Sequence, residues 1–98
     1  MTINKKLEGT KLELLLEGRL DTTTSPMLEA ELKQSIEGIT ELVFDFEKLE
    51  YISSAGIRIL LAAQKIMNKQ GSMVVKNINE IVAEVFEVTG FSDILTIE

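Results

Sequence analysis

The spacing of apolar residues in this chain switches from two to between three and four, and back, several times within 98 residues. A period of two belongs to a strand with one buried face, and a period near 3.6 belongs to an amphipathic helix. Repeated switching restricts the chain to strands that lead into helices. Leu12, Leu14 and Leu16 alternate with Lys11, Glu13 and Glu17, and Gly9-Thr10 interrupts the run. Two strands, Ile3 to Glu8 and Lys11 to Gly18, are therefore predicted as a hairpin. Thr22-Thr23-Thr24-Ser25-Pro26 suits a helix entrance, because a hydroxyl can accept an orphan backbone N–H and proline fits the first turn. The helix buries Leu28, Leu32, Ser35 and Ile36, with Gly38 as its left-handed cap.

Leu42, Val43, Phe44 and Phe46 predict a central strand that leaves the core at Glu47 and Lys48, followed by a turn at Tyr51 to Ser54. A long second helix follows, with Gly56, Ile59, Leu60, Ala63, Ile66 and Met67 in one stripe and Gly71 at its end. Ser72 to Lys76 predicts a short strand. Asn77 with Glu80 resembles a capping box opening a third helix that buries Ile81, Val82, Val85 and Phe86. After Gly90, Ile94 to Ile97 predicts a last strand. The order ββαβαβαβ implies an α/β fold, one mixed sheet with parallel pairing packed against helices. A chain this short makes one domain, residues 1–98.

Composition narrows the function. The chain has no His and no Cys, which removes imidazole relays, thiol nucleophiles and zinc sites built on those ligands. No glycine pair sits at phosphate-loop spacing, and no cofactor is expected. A net charge of −6 has the wrong sign for a nucleic-acid backbone. The longest apolar run, Ile59 to Ala63, is far short of the roughly 20 residues of a membrane span. A cytoplasmic protein without nucleic-acid or membrane partners is expected, its oligomeric state left open. Asp45, between Phe44 and Phe46, invites comparison with a phosphoryl-accepting aspartate. The acidic pair and distant lysine of such a site are missing, and alternation points Asp45 to the face opposite the two rings.

The chemistry-bearing segment is Tyr51-Ile52-Ser53-Ser54-Ala55-Gly56-Ile57. One serine suffices to cap a helix. The second, beside small Ala55 and Gly56, offers a hydroxyl that another protein's active site can approach. Without a base it is a poor nucleophile, but it can accept a phosphoryl group when the partner brings catalyst and ATP. Ile57 and Leu61 lie nearly opposite a stripe centred on Ile59 and Ala63. They form either an exposed docking face or a surface covered by a neighbouring helix.

Gly18-Arg19-Leu20-Asp21, then Leu49-Glu50-Tyr51-Ile52-Ser53-Ser54-Ala55-Gly56-Ile57-Arg58, then Thr89-Gly90-Phe91 resemble a STAS domain over nearly the whole chain. More narrowly they resemble the free-standing bacterial anti-sigma factor antagonists. That resemblance implies the STAS fold and a non-enzymatic partner. Such a protein binds an anti-sigma factor that is also a serine kinase, so that a sigma factor is released. It is inactivated by phosphorylation at this helix N-terminus and reactivated by a PP2C-type serine phosphatase. The family pattern is Asp-Ser-Ser-Gly or Asp-Ser-Thr-Gly, with the acceptor directly before the glycine. Here Ser53 replaces the Asp and Ala55 occupies the acceptor position. The resemblance makes Ser54 the acceptor, with Ser53 as the alternative, and implies that Asp21 lies near the serines; together with the helix-face reading of Ile57 and Leu61, the expected partner-binding residues are Asp21, Ser53, Ser54, Ala55, Gly56, Ile57, Arg58 and Leu61. A STAS module that is never phosphorylated, serving as a scaffold in another pathway, is the other reading.

Overall fold

The computed structural model describes residues 1–98. Strands β1 (Thr2–Glu8), β2 (Lys11–Leu20), β3 (Glu41–Ile52) and β4 (Ser72–Lys76) form one sheet in the order β1-β2-β3-β4. β1 runs antiparallel to β2, and β2, β3 and β4 are parallel. Helices α1 (Ser25–Ser35), α2 (Ser54–Gln70) and α3 (Glu80–Thr89) provide the crossovers and the final layer. The period-two leucines of β2 are buried, and they share one core with Phe44, Phe46, Val75, Leu60 and Phe86. The mixed sheet and three helices expected from the spacing are present.

β3 outruns its prediction. The strand does not leave the core at Glu47 but continues to Ile52. Its register against β2 slips between Leu15 and Glu17 and again between Gly18 and Arg19, and each slip places one extra residue on β3. A bulge of this kind shifts the side-chain phase by one position. Leu49 and Ile52, three apart, therefore both stay buried. The two bulges also bring the ends of β2 and β3 level, with Leu20 opposite Ile52.

Further local expectations are corrected: α1 ends at a cap on Ile36, with left-handed Gly38 in the turn beyond it, and Ile81 of α3 is exposed instead of buried. Asn79, not Asn77, caps α3: its side chain accepts from the Val82 N–H (2.8 Å) and donates to the Leu49 carbonyl (2.9 Å). Asn77 instead adopts a left-handed backbone and donates from Nδ2 to Asp45 (3.0 Å). The last strand contracts to one parallel bridge between Val75 and Ile97, because the turn Phe91–Asp93 follows Gly90 and leaves Ile94 in solvent. The α2 stripe is centred on Gly56, Leu60 and Met67, roughly 60° from the expected line at about 100° per residue. Ile66 accordingly turns outward and Ile57 turns in.

Gly71 ends α2 for a steric reason. A Cβ there would lie 1.9 Å from the Thr40 carbonyl oxygen. The close approach lets the Ser72 N–H reach that same oxygen (3.0 Å) and start β4.

Candidate functional site

The site is built where β2 and β3 end side by side. The Ser53 N–H donates to the Leu20 carbonyl (2.9 Å), so Asp21, the next residue, leaves the sheet beside Ser53. The Asp21 carboxylate accepts from the Thr23 N–H (3.0 Å) and the Thr24 N–H (3.1 Å). The Thr24 hydroxyl accepts from the Asp21 N–H (2.9 Å) and donates to the Arg19 carbonyl (2.7 Å). A carboxylate, rather than the expected hydroxyl, thus gathers the free amides ahead of α1. The Arg19 guanidinium stacks on the Tyr51 ring at 4.6 Å and lies 3.8 Å from Asp21.

These donors hold the Asp21 carboxyl below its ordinary 3.8. The Thr24 amide is the largest cause; desolvation opposes it, and the Thr23 amide, Thr24 hydroxyl and Arg19 add to the lowering. Hydrogen bonds to the charged form favour ionisation. The site therefore keeps a fixed negative charge at neutral pH.

Ser53 is the N-cap residue of α2 in extended conformation, yet its side chain caps nothing. Its Oγ is buried and has no hydrogen-bond partner. Ser54, the first helical residue, is exposed, and Ala55 beside it is half-buried. The two hydroxyls are therefore unequal: one turns inward and one faces solvent. The amides of Ser54, Ala55 and Gly56 precede the first intrahelical acceptor of α2 and have no side-chain cap, as at any uncapped helix start.

Gly56 is required by packing. A Cβ there would sit 2.7 Å from Leu20 Cγ and 2.9 Å from Ile52 Cγ1. This close fit seats the first turn of α2 against both strand ends. Ile57 is 1% exposed, which resolves its two alternatives: it belongs to the core, not to a docking face. Leu61 is half-buried against the same core. Arg58 is exposed and forms no salt bridge. It lines a shallow depression with Thr22, Ser25, Pro26, Glu29 and Ala55. The accessible site residues are thus Asp21, Ser54, Ala55 and Arg58, with Leu61 at the margin.

Asp45 lies across β3 from the phenylalanine rings, as alternation requires. It is 8% exposed and accepts from the Glu47 N–H (3.0 Å) and from Asn77. The Asn77 bond ties β3 to the turn after β4. Sequence reasoning missed Thr24 and Arg19, which organise Asp21. The run of three threonines was the available signal.

The STAS domain model matches residues 3–98. This chain belongs to the STAS domain family. It is similar to BtrV of Bordetella bronchiseptica, a candidate anti-sigma factor antagonist, at 37% identity across 94% of this chain and 80% of that protein. It is also similar to the anti-sigma-B factor antagonist of Bacillus subtilis, at 24% identity across 99% of this chain and 90% of that one. Among solved structures, the Bacillus cell fate determinant SpoIIAA in its phosphorylated form superposes with a TM-score of 0.77 at 18% identity, across 99% of this chain and 91% of SpoIIAA. By homology this STAS chain falls among the anti-sigma factor antagonists, a regulatory group. No helix is long and apolar enough to cross a membrane.

Proposed function

We propose that this chain is a cytoplasmic anti-sigma factor antagonist whose whole length acts as one binding module, and that it is switched by phosphorylation of Ser54. It binds an anti-sigma factor with serine kinase activity, which frees a sigma factor. The kinase transfers the γ-phosphoryl group of ATP to Ser54 Oγ; the hydroxyl proton leaves with a base of the kinase, and ADP departs. A PP2C-type phosphatase returns the hydroxyl by hydrolysis. The chain itself is the substrate, not the catalyst.

The observation that carries this reading is the inequality of the two serines. Ser54 is exposed in the first turn of α2, whereas the Ser53 hydroxyl is buried. Phosphorylation adds about −1.5 to −2 of charge near neutral pH. A helix N-terminus tolerates that charge through its partial positive end and free amides, so the fold is retained. The cost falls on the partner. Asp21 already holds one negative charge beside the site, and a second one on Ser54 makes the surface repel any carboxylate or apolar group that packs there. Arg58, one turn further on, offsets only part of this.

The test is incubation with a cognate anti-sigma kinase and ATP, followed by intact mass and peptide mapping. One added phosphate on Ser54 is expected, absent from S54A. Ser54→Ala should bind the kinase as the unmodified chain does and resist inactivation, while Ser54→Asp should bind at least tenfold more weakly, about 1.4 kcal/mol. Phosphate on Ser53, or equal binding of both variants, refutes the assignment. Binding without any phosphate transfer would favour the unphosphorylated scaffold reading.

A further inference from the structure

We infer that the outward face of α3 is a second docking surface, and that its occupant is a basic amphipathic helix of a protein partner. α3 carries two apolar rows. Val82 and Phe86 point into the core and are fully buried. Ile81, Val85 and Val88, at spacings of four and three, form the other row on a single helix face. Ile81 is 56% exposed and Val88 is 79% exposed, with half-buried Val85 between them. Together with Glu84 and Thr89 they line a shallow groove of about 250 Å³. Val88 is the most exposed large apolar side chain of the molecule.

Charge identifies the occupant. Up to Lys76 the chain has eleven acidic and ten basic residues, which nearly cancel. From Asn77 onward it has Glu80, Glu84, Glu87, Asp93 and Glu98 and no Lys or Arg, so this segment holds −5 of the net −6. None of these five carboxylates takes part in an ion pair, whereas all six ion pairs lie within residues 5–76. The apolar row is therefore flanked by Glu80, Glu84 and Glu87 with no cation of its own to neutralise them. An apolar ridge with Lys or Arg beside it complements that surface in shape and sign. A second copy of this chain would set carboxylates against carboxylates across a self-complementary contact. An anionic membrane surface carries the same sign and would repel it.

The face shares no residue with the Ser54 site, so the inference stands whichever hydroxyl is modified. A helix of ten residues spans only about 15 Å. Contact along it alone would be small and transient. It suits a second contact that adds to a stronger one by effective concentration.

The test titrates the full isotope-labelled chain with three synthetic 14-residue peptides, followed by amide chemical shifts. The first has leucines at helical spacing among lysines, the second has the same composition with the leucines scattered, and the third replaces every lysine of the first with glutamate. The first peptide should shift residues 80–89 and bind at least tenfold more tightly than the other two. Val88→Lys should weaken it about tenfold with an unchanged melting temperature, since the side chain is exposed, and Ile81→Ser should act in the same direction. The inference fails if the scattered or acidic peptide binds equally, if the shifts map elsewhere, or if no peptide binds. It fails equally if Val88→Lys leaves binding unchanged, or if that substitution dissolves a dimer of the unliganded chain seen by sedimentation.

Discussion

α2 and α3 both begin just beyond the carboxyl end of a parallel strand, and they begin differently. At α3, Asn79 uses one amide group to close the helix start and tether it to the end of β3. At α2, neither serine caps the helix: Ser53 turns its hydroxyl inward without a partner, and Ser54 presents its own outward. The first turn of α2 is held by packing instead, through Gly56 against Leu20 and Ile52 and through buried Ile57. Anchoring by apolar contact leaves the polar groups of that turn uncommitted. A helix start closed by its own side chain commits one of its free amides. One held from beneath keeps both its amides and a hydroxyl available.

The strongest way to break this contrast is to attack the packing. Ile57→Ala should destabilise the chain by about 2–5 kcal/mol, as deletion of a buried aliphatic side chain does, read from urea unfolding. A loss below about 0.5 kcal/mol would mark Ile57 as a surface residue. Gly56→Val should cost about 1–3 kcal/mol by overpacking, because the first turn of α2 must move, and should weaken binding to the proposed partner as well. An unchanged melting temperature for G56V would show that the turn is not seated by this contact.

Exchanging the caps sharpens the comparison with a smaller effect. Asn79→Ala should lose about 1 kcal/mol, whereas Ser53→Ala should be neutral or slightly stabilising, because it removes a buried hydroxyl that has no partner. A larger loss from Ser53→Ala than from Asn79→Ala in thermal melts would reverse the assignment of the two helix starts. The smallest effect concerns Asp21. Its folded carboxyl lies below 3.8, so its contribution to stability is complete above that pH and disappears as pH falls through the lower folded value. Asp21→Asn should flatten that part of the acid limb of an unfolding-versus-pH curve. An acid limb identical in both proteins would show that the carboxylate is not held by its amide donors.

β2, β4 and the three helices were legible from their apolar spacing, and β1 from the Gly9-Thr10 break that marks the hairpin turn. The second half of β3 was not, since two bulges hide its alternation behind Glu47, Lys48 and Glu50. Ile57 was misleading for a related reason. A helix shows its apolar residues in sequence, but the direction of the stripe depends on what the helix lies on. A 60° error in that direction is enough to move one isoleucine from surface to core. Asn77 and Asn79 both fit a cap by local spacing, and only the position of the β3 end selected Asn79.

The sequence by itself determined the order of strands and helices, the small and hydroxyl-bearing character of the α2 entrance, and the family, because these rest on local spacing and on short motifs. Tertiary structure alone decided which serine is accessible, that Ile57 is core, and which backbone bond sets Asp21, expected near the serines from the resemblance, beside Ser53. Those facts depend on how the ends of β2 and β3 are aligned. That alignment follows from sheet register and bulges between segments about 30 residues apart, where local preference carries no information about the partner strand.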